Sequence, residues 1–206
     1  EGARQGILRT GADDTMSFYF TNEAFRDEVY KSAGVTSIRK YHLMVAGRRK
    51  TQGDHLNAGY HLSMSGRTLE ALEVYRRGAG QCLRSGLPAA AVACLEEAER
   101  LSRSFTEPQL PAGRLADLKY DLLNAYRCAG NWRKARELAL QYADLAEELG
   151  RSSGALSSRI MAADCLRMVG EYEQALGELH LLEDAHLLDQ RVEVGLVGLA
   201  DLGVLG

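Results

Sequence analysis

Histidine and cysteine are the side chains whose spacing would indicate a metal site in this chain. His55 and His61 are six residues apart, as are His180 and His186, so neither pair has the i, i+4 spacing of two ligands on one helix face. No Cys-x-x-Cys pair and no histidine at zinc-ligand spacing accompany the four cysteines, which are Cys82, Cys94, Cys128 and Cys165. We therefore expect ordinary imidazoles, small buried thiols in a reducing compartment, and no metal or other cofactor.

Motifs for covalent or phosphoryl chemistry are also missing from the sequence. It contains no Gly-x-Ser-x-Gly elbow, no His-Glu-x-x-His and no calcium-binding loop. A phosphate loop of the form Gly-x-x-x-x-Gly-Lys-Ser/Thr is absent as well. The sequence thus predicts that this chain has no catalytic site and is not an enzyme.

Charge is distributed unevenly along the chain. The formal net charge is -3, which does not favour binding to nucleic acid. Residues 38–52 contain five bases and no acid, whereas residues 171–206 contain eight acids and one base, Arg191. Either segment could be a solvated helix face or a docking contact. Apolar runs fall far short of the roughly 20 residues of a membrane span, so we expect a cytoplasmic protein with no membrane partner.

A short string, Gly-x-x-x-x-Ala, recurs along the chain. The glycines are 20, 44 and 40 residues apart, near multiples of 20, which predicts one helix and its turn per step. Glycine ends a helix well because it adopts a positive φ without steric cost, and alanine lets two helices approach closely. The glycine–alanine pairs are Gly66 and Ala71, Gly86 and Ala91, Gly130 and Ala135, and Gly170 and Ala175.

Apolar residues after each alanine recur at helical spacing, for example Ala71, Leu72, Tyr75 and Ala79. These repeats resemble the tetratricopeptide repeat (TPR), although they are longer than its usual 34 residues. The resemblance implies an all-α fold, a TPR-like α-solenoid of antiparallel helix hairpins that binds protein or peptide. Two aromatic residues near the turns, Trp132 and Tyr172, are expected to pack at the tight end of their hairpins.

A partner-binding surface follows from the register of the repeats. Counting back from Gly130, the concave surface should carry Tyr120, Asn124 and Arg127. On the next hairpin the same count gives Asp164, Arg167 and Met168. Some TPR domains hold a partner's C-terminal carboxylate with Lys and Asn four residues apart; here Asn124 is present, but Tyr120 fills the Lys position.

The sequence divides the chain into two segments. Residues 1–52 predict a short β-hairpin around Ile7–Leu8 and 16–20, then helices over about 22–32 and 37–50. Residues 53–206 predict the helical repeats, interrupted by a surface loop at Ser104–Ala112. From Gln190 the sequence predicts the first helix of a fifth hairpin, which is incomplete at Gly206.

The stretch Phe18-Tyr-Phe-Thr-Asn-Glu-Ala-Phe-Arg-Asp-Glu-Val-Tyr30, followed by Arg39-Lys-Tyr-His42, resembles a junction in the STAND class of signal-transduction ATPases. In that class the junction ends a winged-helix domain and leads into TPR-like repeats. The resemblance implies a sensor or docking arm whose partners include other domains of the same polypeptide. A free-standing TPR adaptor is the alternative, and nucleic-acid binding through the basic segment is the least favoured.

Overall fold

The computed structural model describes residues 8–10, 18–20, 23–104 and 111–183. Residues 172–183 are helical and are called α9 here. The bounds of the other elements are β1 Leu8–Thr10, β2 Phe18–Phe20, α1 Glu23–Ser32, α2 Val35–Thr51, α3 His55–Met64, α4 Thr68–Arg84, α5 Pro88–Ser102, α6 Ala112–Cys128, α7 Trp132–Glu148 and α8 Ser152–Met168. The segments predicted as the interrupting loop and as a helix from Gln190 lie largely or wholly outside these ranges.

The two short strands pair antiparallel, with Leu8 opposite Phe20 and Thr10 opposite Phe18. The helices predicted near 22–32 and 37–50 correspond to α1 and α2. The winged-helix origin of this region and the domain boundary at residue 52 stay predictions. Helix α2 packs directly on α3.

Each glycine of the repeated string ends a helix at positive φ, as predicted. At Gly66, φ is 86°. The next amide, of Arg67, donates to the carbonyl of Leu62 at 2.9 Å, and Ala71 donates the first bond of α4 to Arg67 at 2.9 Å. This reversal satisfies the last carbonyls of one helix and starts the next within five residues.

The same reversal occurs at two glycines that the repeat search did not single out, Gly53 and Gly150, with φ of 75° and 70°. Both also have alanine five residues later, at Ala58 and Ala155. Gly150 divides the 40-residue interval between Gly130 and Gly170 into two equal steps. The helix-plus-turn step of about 20 residues therefore holds from Gly66 onward, whereas the step from Gly53 to Gly66 is shorter because α3 has only 10 residues.

Successive helices from α2 to α8 each pack on the next, and α4 also contacts α6. The result is an all-α solenoid of stacked hairpins. Its core is continuous from α2 to α8, because most buried residues join one cluster. The alanines of the four predicted strings are all buried: Ala71, Ala91, Ala135 and Ala175.

Two details of the predicted packing are wrong. Tyr172 was expected at a tight hairpin end but is 67% exposed. Trp132, which follows its turn glycine by two residues as Tyr172 does, packs against the core and lines a surface depression together with Val169, in the turn after α8. The turn that would stand in the same relation to Tyr172 lies outside the described residues. Cys128 is exposed rather than buried, because it is the last residue of α6.

Candidate protein-interaction surface

Helix α6 supplies three of the residues predicted to bind a partner. Tyr120 is partly exposed, and its ring contacts that of Tyr142 on α7, with the centroids 5.2 Å apart. Asn124 is half-buried, and its amide forms no hydrogen bond with any described residue. Arg127, near the end of the helix, is half-buried.

Helix α8 supplies the other three residues in its last turns. The guanidinium of Arg167 donates to the carboxylate of Asp164, with Nη2 2.7 Å and Nε 2.9 Å from Oδ1. Nη2 also lies 3.5 Å from the sulfur of Met168, whose side chain is 42% exposed. This end of α8 therefore offers a carboxylate, a guanidinium and an apolar side chain close together.

Helix α6 contacts α8 through one of these residues, Arg127. Nη1 of Arg127 is 3.2 Å from the sulfur of Met161 on α8. Tyr120, in contrast, is seven residues from Arg127, about 10 Å along the helix axis. The structure thus places Arg127 against α8 one helical turn before Asp164, and it leaves Tyr120 in a separate contact with α7.

Arg127 is notable because it has no acidic partner among the described residues. Its Nε is buried without a hydrogen bond, and a thioether sulfur is only a weak acceptor. Other half-buried arginines between helices do have carboxylate partners: Arg76 lies 2.7 Å from Asp121 and Arg136 lies 2.5 Å from Glu178. A guanidinium without a counter-ion is a natural binding point for an incoming carboxylate.

The charges at this junction act on the buried thiol of Cys165. Burial is the main cause that raises the pKa of Cys165. The charges of Arg127 and Arg136 oppose that shift, and the charge of Asp164 adds to it. A thiol with a raised pKa is a poor nucleophile, and Cys165 contributes packing rather than reactivity.

One surface depression, formed by α3 and α5, was not predicted from the sequence. Its volume is 490 Å³, and it lies between α3 and α5, with Tyr60, Met64 and Arg100 in its wall. No sequence signal marks it, because its lining residues are up to 44 positions apart and meet only when α3 and α5 are stacked.

A second missed feature is a histidine pair between α2 and α3. Nδ1 of His42 lies 2.7 Å from Nδ1 of His61, so one ring donates and the other accepts. Burial lowers the pKa of His42, and it is also the main cause for His61, where the charge of His42 adds to the effect. The two residues are 19 positions apart, so their contact depends on how α2 packs on α3.

Within the described ranges, three or more His, Cys, Asp or Glu side chains nowhere gather in a group that could hold a metal ion. None of the described helices is long and apolar enough to cross a membrane.

The hairpin stack and its glycine turns define an all-α helical-repeat solenoid. No protein-family profile matches the chain, and no curated protein matches its sequence. A solved structure from Podosopora anserina, described as a putative kinesin light chain with nearly identical TPR-like repeats, is 15% identical with a TM-score of 0.38. A variant form of the same protein is also 15% identical, with a TM-score of 0.44. Each alignment covers 82% of this chain and 94% of the other.

Proposed function

We propose that this chain is a non-catalytic protein-interaction module that binds an acidic peptide segment beside Arg127. One observation carries the proposal: the half-buried guanidinium of Arg127 lacks a carboxylate partner among the described residues, whereas Arg76 and Arg136 each have one. Asn124, one helical turn earlier, also has an unused amide. A carboxylate beside Arg127 and a backbone group beside Asn124 would satisfy both side chains.

We further propose that the module is the sensor or docking arm of a larger STAND-type switch ATPase. Support comes from the resemblance of residues 18–42 to the junction that precedes the repeats in that class. The acidic segment would then belong to another domain of the same polypeptide. The free-standing adaptor remains the alternative, and a phosphate loop encoded upstream of Glu1 in the natural reading frame would decide between them.

A peptide display experiment tests the binding site. Random peptides with free carboxylates are selected on the chain, and the enriched peptides are then measured against Arg127→Gln. A hydrogen bond to a charged group contributes about 1.5–3 kcal/mol, so affinity should fall about tenfold or more. Arg77→Gln is the matched control, because Arg77 is exposed on α4.

Three results would contradict this site: no peptide is enriched, the enriched peptides lack acidic groups, or Arg127→Gln binds them as well as the natural chain. Equal losses with Arg77→Gln would indicate attraction to overall positive charge instead of a local contact. The proposal also assigns no catalysis to this chain, so ATP hydrolysis that a point substitution within it abolishes would refute that part.

A further inference from the structure

Helices α2 and α9 lie at the two ends of the stacked hairpins, and both expose apolar side chains. Helix α1 precedes α2 and contacts it through Tyr30, whose ring centroid is 6.2 Å from that of His42. Interior helices of a solenoid cover their apolar faces with neighbours on both sides, whereas end helices need a polar outer face or a cover. The outer faces of α2 and α9 both combine exposed apolar side chains with charges, and these charges are of opposite sign.

At the first end, α2 packs on α3 through His42 and Ala46, which are buried. Its outer side carries Tyr41 and Met44, which are 49% and 69% exposed. Two exposed cations on the same side of the helix flank these side chains, Lys40 and Arg48, and neither forms an ion pair with a described residue.

At the last end, α9 buries Ala175 and joins α7 through the ion pair of Glu178 with Arg136. Its outer side exposes Tyr172, Leu176 and Leu181, by 67%, 55% and 70%. The acids at this end that form no ion pair with a described residue are Glu171, Glu173 and Glu183.

We propose that the α2 face of one molecule docks on the α9 face of a second copy of the same chain. Charge complementarity selects this occupant, since unpaired bases flank the apolar side chains of one face and, within the described part of the chain, unpaired acids lie beside those of the other. Two copies of the α2 face, or two of the α9 face, would instead place like charges together. Contact between different faces is heterologous, so the copies add head to tail.

The docking is independent of the peptide site proposed beside Arg127, which lies between α6 and α8. Arg127→Gln should leave self-association unchanged, so either proposal can fail without the other. Because exposed charges take part, association should weaken as salt screens them.

Two blocked variants test the pairing of faces. Met44→Glu puts an acid on the basic face, and Leu176→Lys puts a base on the acidic face. Sedimentation of the natural chain should show concentration-dependent association, whereas each variant alone should be monomeric. An equimolar mixture of the two should form a one-to-one dimer, because one variant keeps its α9 face and the other keeps its α2 face.

Ile160→Glu is the matched control, since Ile160 is 46% exposed on α8, between the two ends; it should associate like the natural chain. If either blocked variant unfolds by circular dichroism, Lys40→Glu with Arg48→Glu replaces Met44→Glu, and Glu173→Lys with Glu183→Lys replaces Leu176→Lys. If the natural chain is monomeric at every concentration, the proposal is refuted. That holds whether the α9 face is covered instead by residues 184–206 or by a different protein. Dimers in either variant alone, or a mixture that stays monomeric, overturn it as well.

Discussion

Gly47 and Gly59 both lie inside helices, but replacing them with alanine should have opposite effects. A Cβ at Gly47 on α2 would meet no atom within 4 Å. A Cβ at Gly59 on α3 would lie 2.5 Å from Cε1 and 2.6 Å from Cζ of Tyr75. The ring of Tyr75 is 1% exposed, so it cannot move away without disturbing the core.

Alanine in a helix interior is favoured over glycine by about 1 kcal/mol. Gly47→Ala should therefore stabilise the chain by roughly that amount. At Gly59 the same gain is opposed by overpacking, which costs about 1–3 kcal/mol. The net result for Gly59→Ala should be a loss of up to about 2 kcal/mol.

Thermal unfolding followed by circular dichroism measures the difference. For a chain of this size, 1 kcal/mol shifts the melting temperature by about 2–4 °C, upward for Gly47→Ala and downward for Gly59→Ala. A second test places Gly59→Ala in a Tyr75→Leu background, where the side chain ends before Cε1 and Cζ. There the loss should shrink or change sign.

If Gly59→Ala raises the melting temperature as much as Gly47→Ala, the close contact between α3 and α4 is wrong. If the loss is the same with Tyr75→Leu, the strain has a source other than the ring.

Two further perturbations have expected outcomes. The lowered pKa values of His42 and His61 mean that the unfolded chain takes up protons first as pH falls below about 6.5, so stability present above that pH should decline toward acid. His61→Phe should flatten this dependence in pH-resolved melting curves, whereas an equal slope in that variant would exclude the pair as its source. Ala135→Trp should destabilise by about 1–3 kcal/mol through overpacking, because Ala135 is fully buried. Ala90→Trp, at an exposed position of α5, should have little effect in the same denaturant titration, and equal midpoints for the two would contradict close packing at Ala135.

The repeat length and helix boundaries could be predicted because their signals are local. Gly66 ends one helix and Ala71 begins the bonding of the next within five residues, so both are visible as a short string. The same string occurs at Gly53 and Gly150, although neither glycine was among the predicted turns. With Gly150 included, the glycines at 130, 150 and 170 repeat the 20-residue interval between Gly66 and Gly86.

For the candidate partner residues, the sequence predicts the positions but not which charges are paired. Sequence register placed Asn124 and Arg127 on α6 and Asp164 on α8, but it could not show that Arg127 lacks a counter-ion among the described residues while Arg76 and Arg136 have one. Whether a charge is paired depends on which residue of another helix lies opposite it. The partner-binding role of these residues stays a prediction.

The sequence by itself determined that this chain forms helices joined by glycine turns at a step of about 20 residues, because backbone reversal and helical periodicity act within one or two turns. Only the tertiary structure decided the contact of His42 with His61, the packing of Gly59 on Tyr75, and the depression between α3 and α5. These features depend on the rotation and offset between packed helices. Many weak side-chain contacts set that geometry together, and no short stretch of sequence contains it.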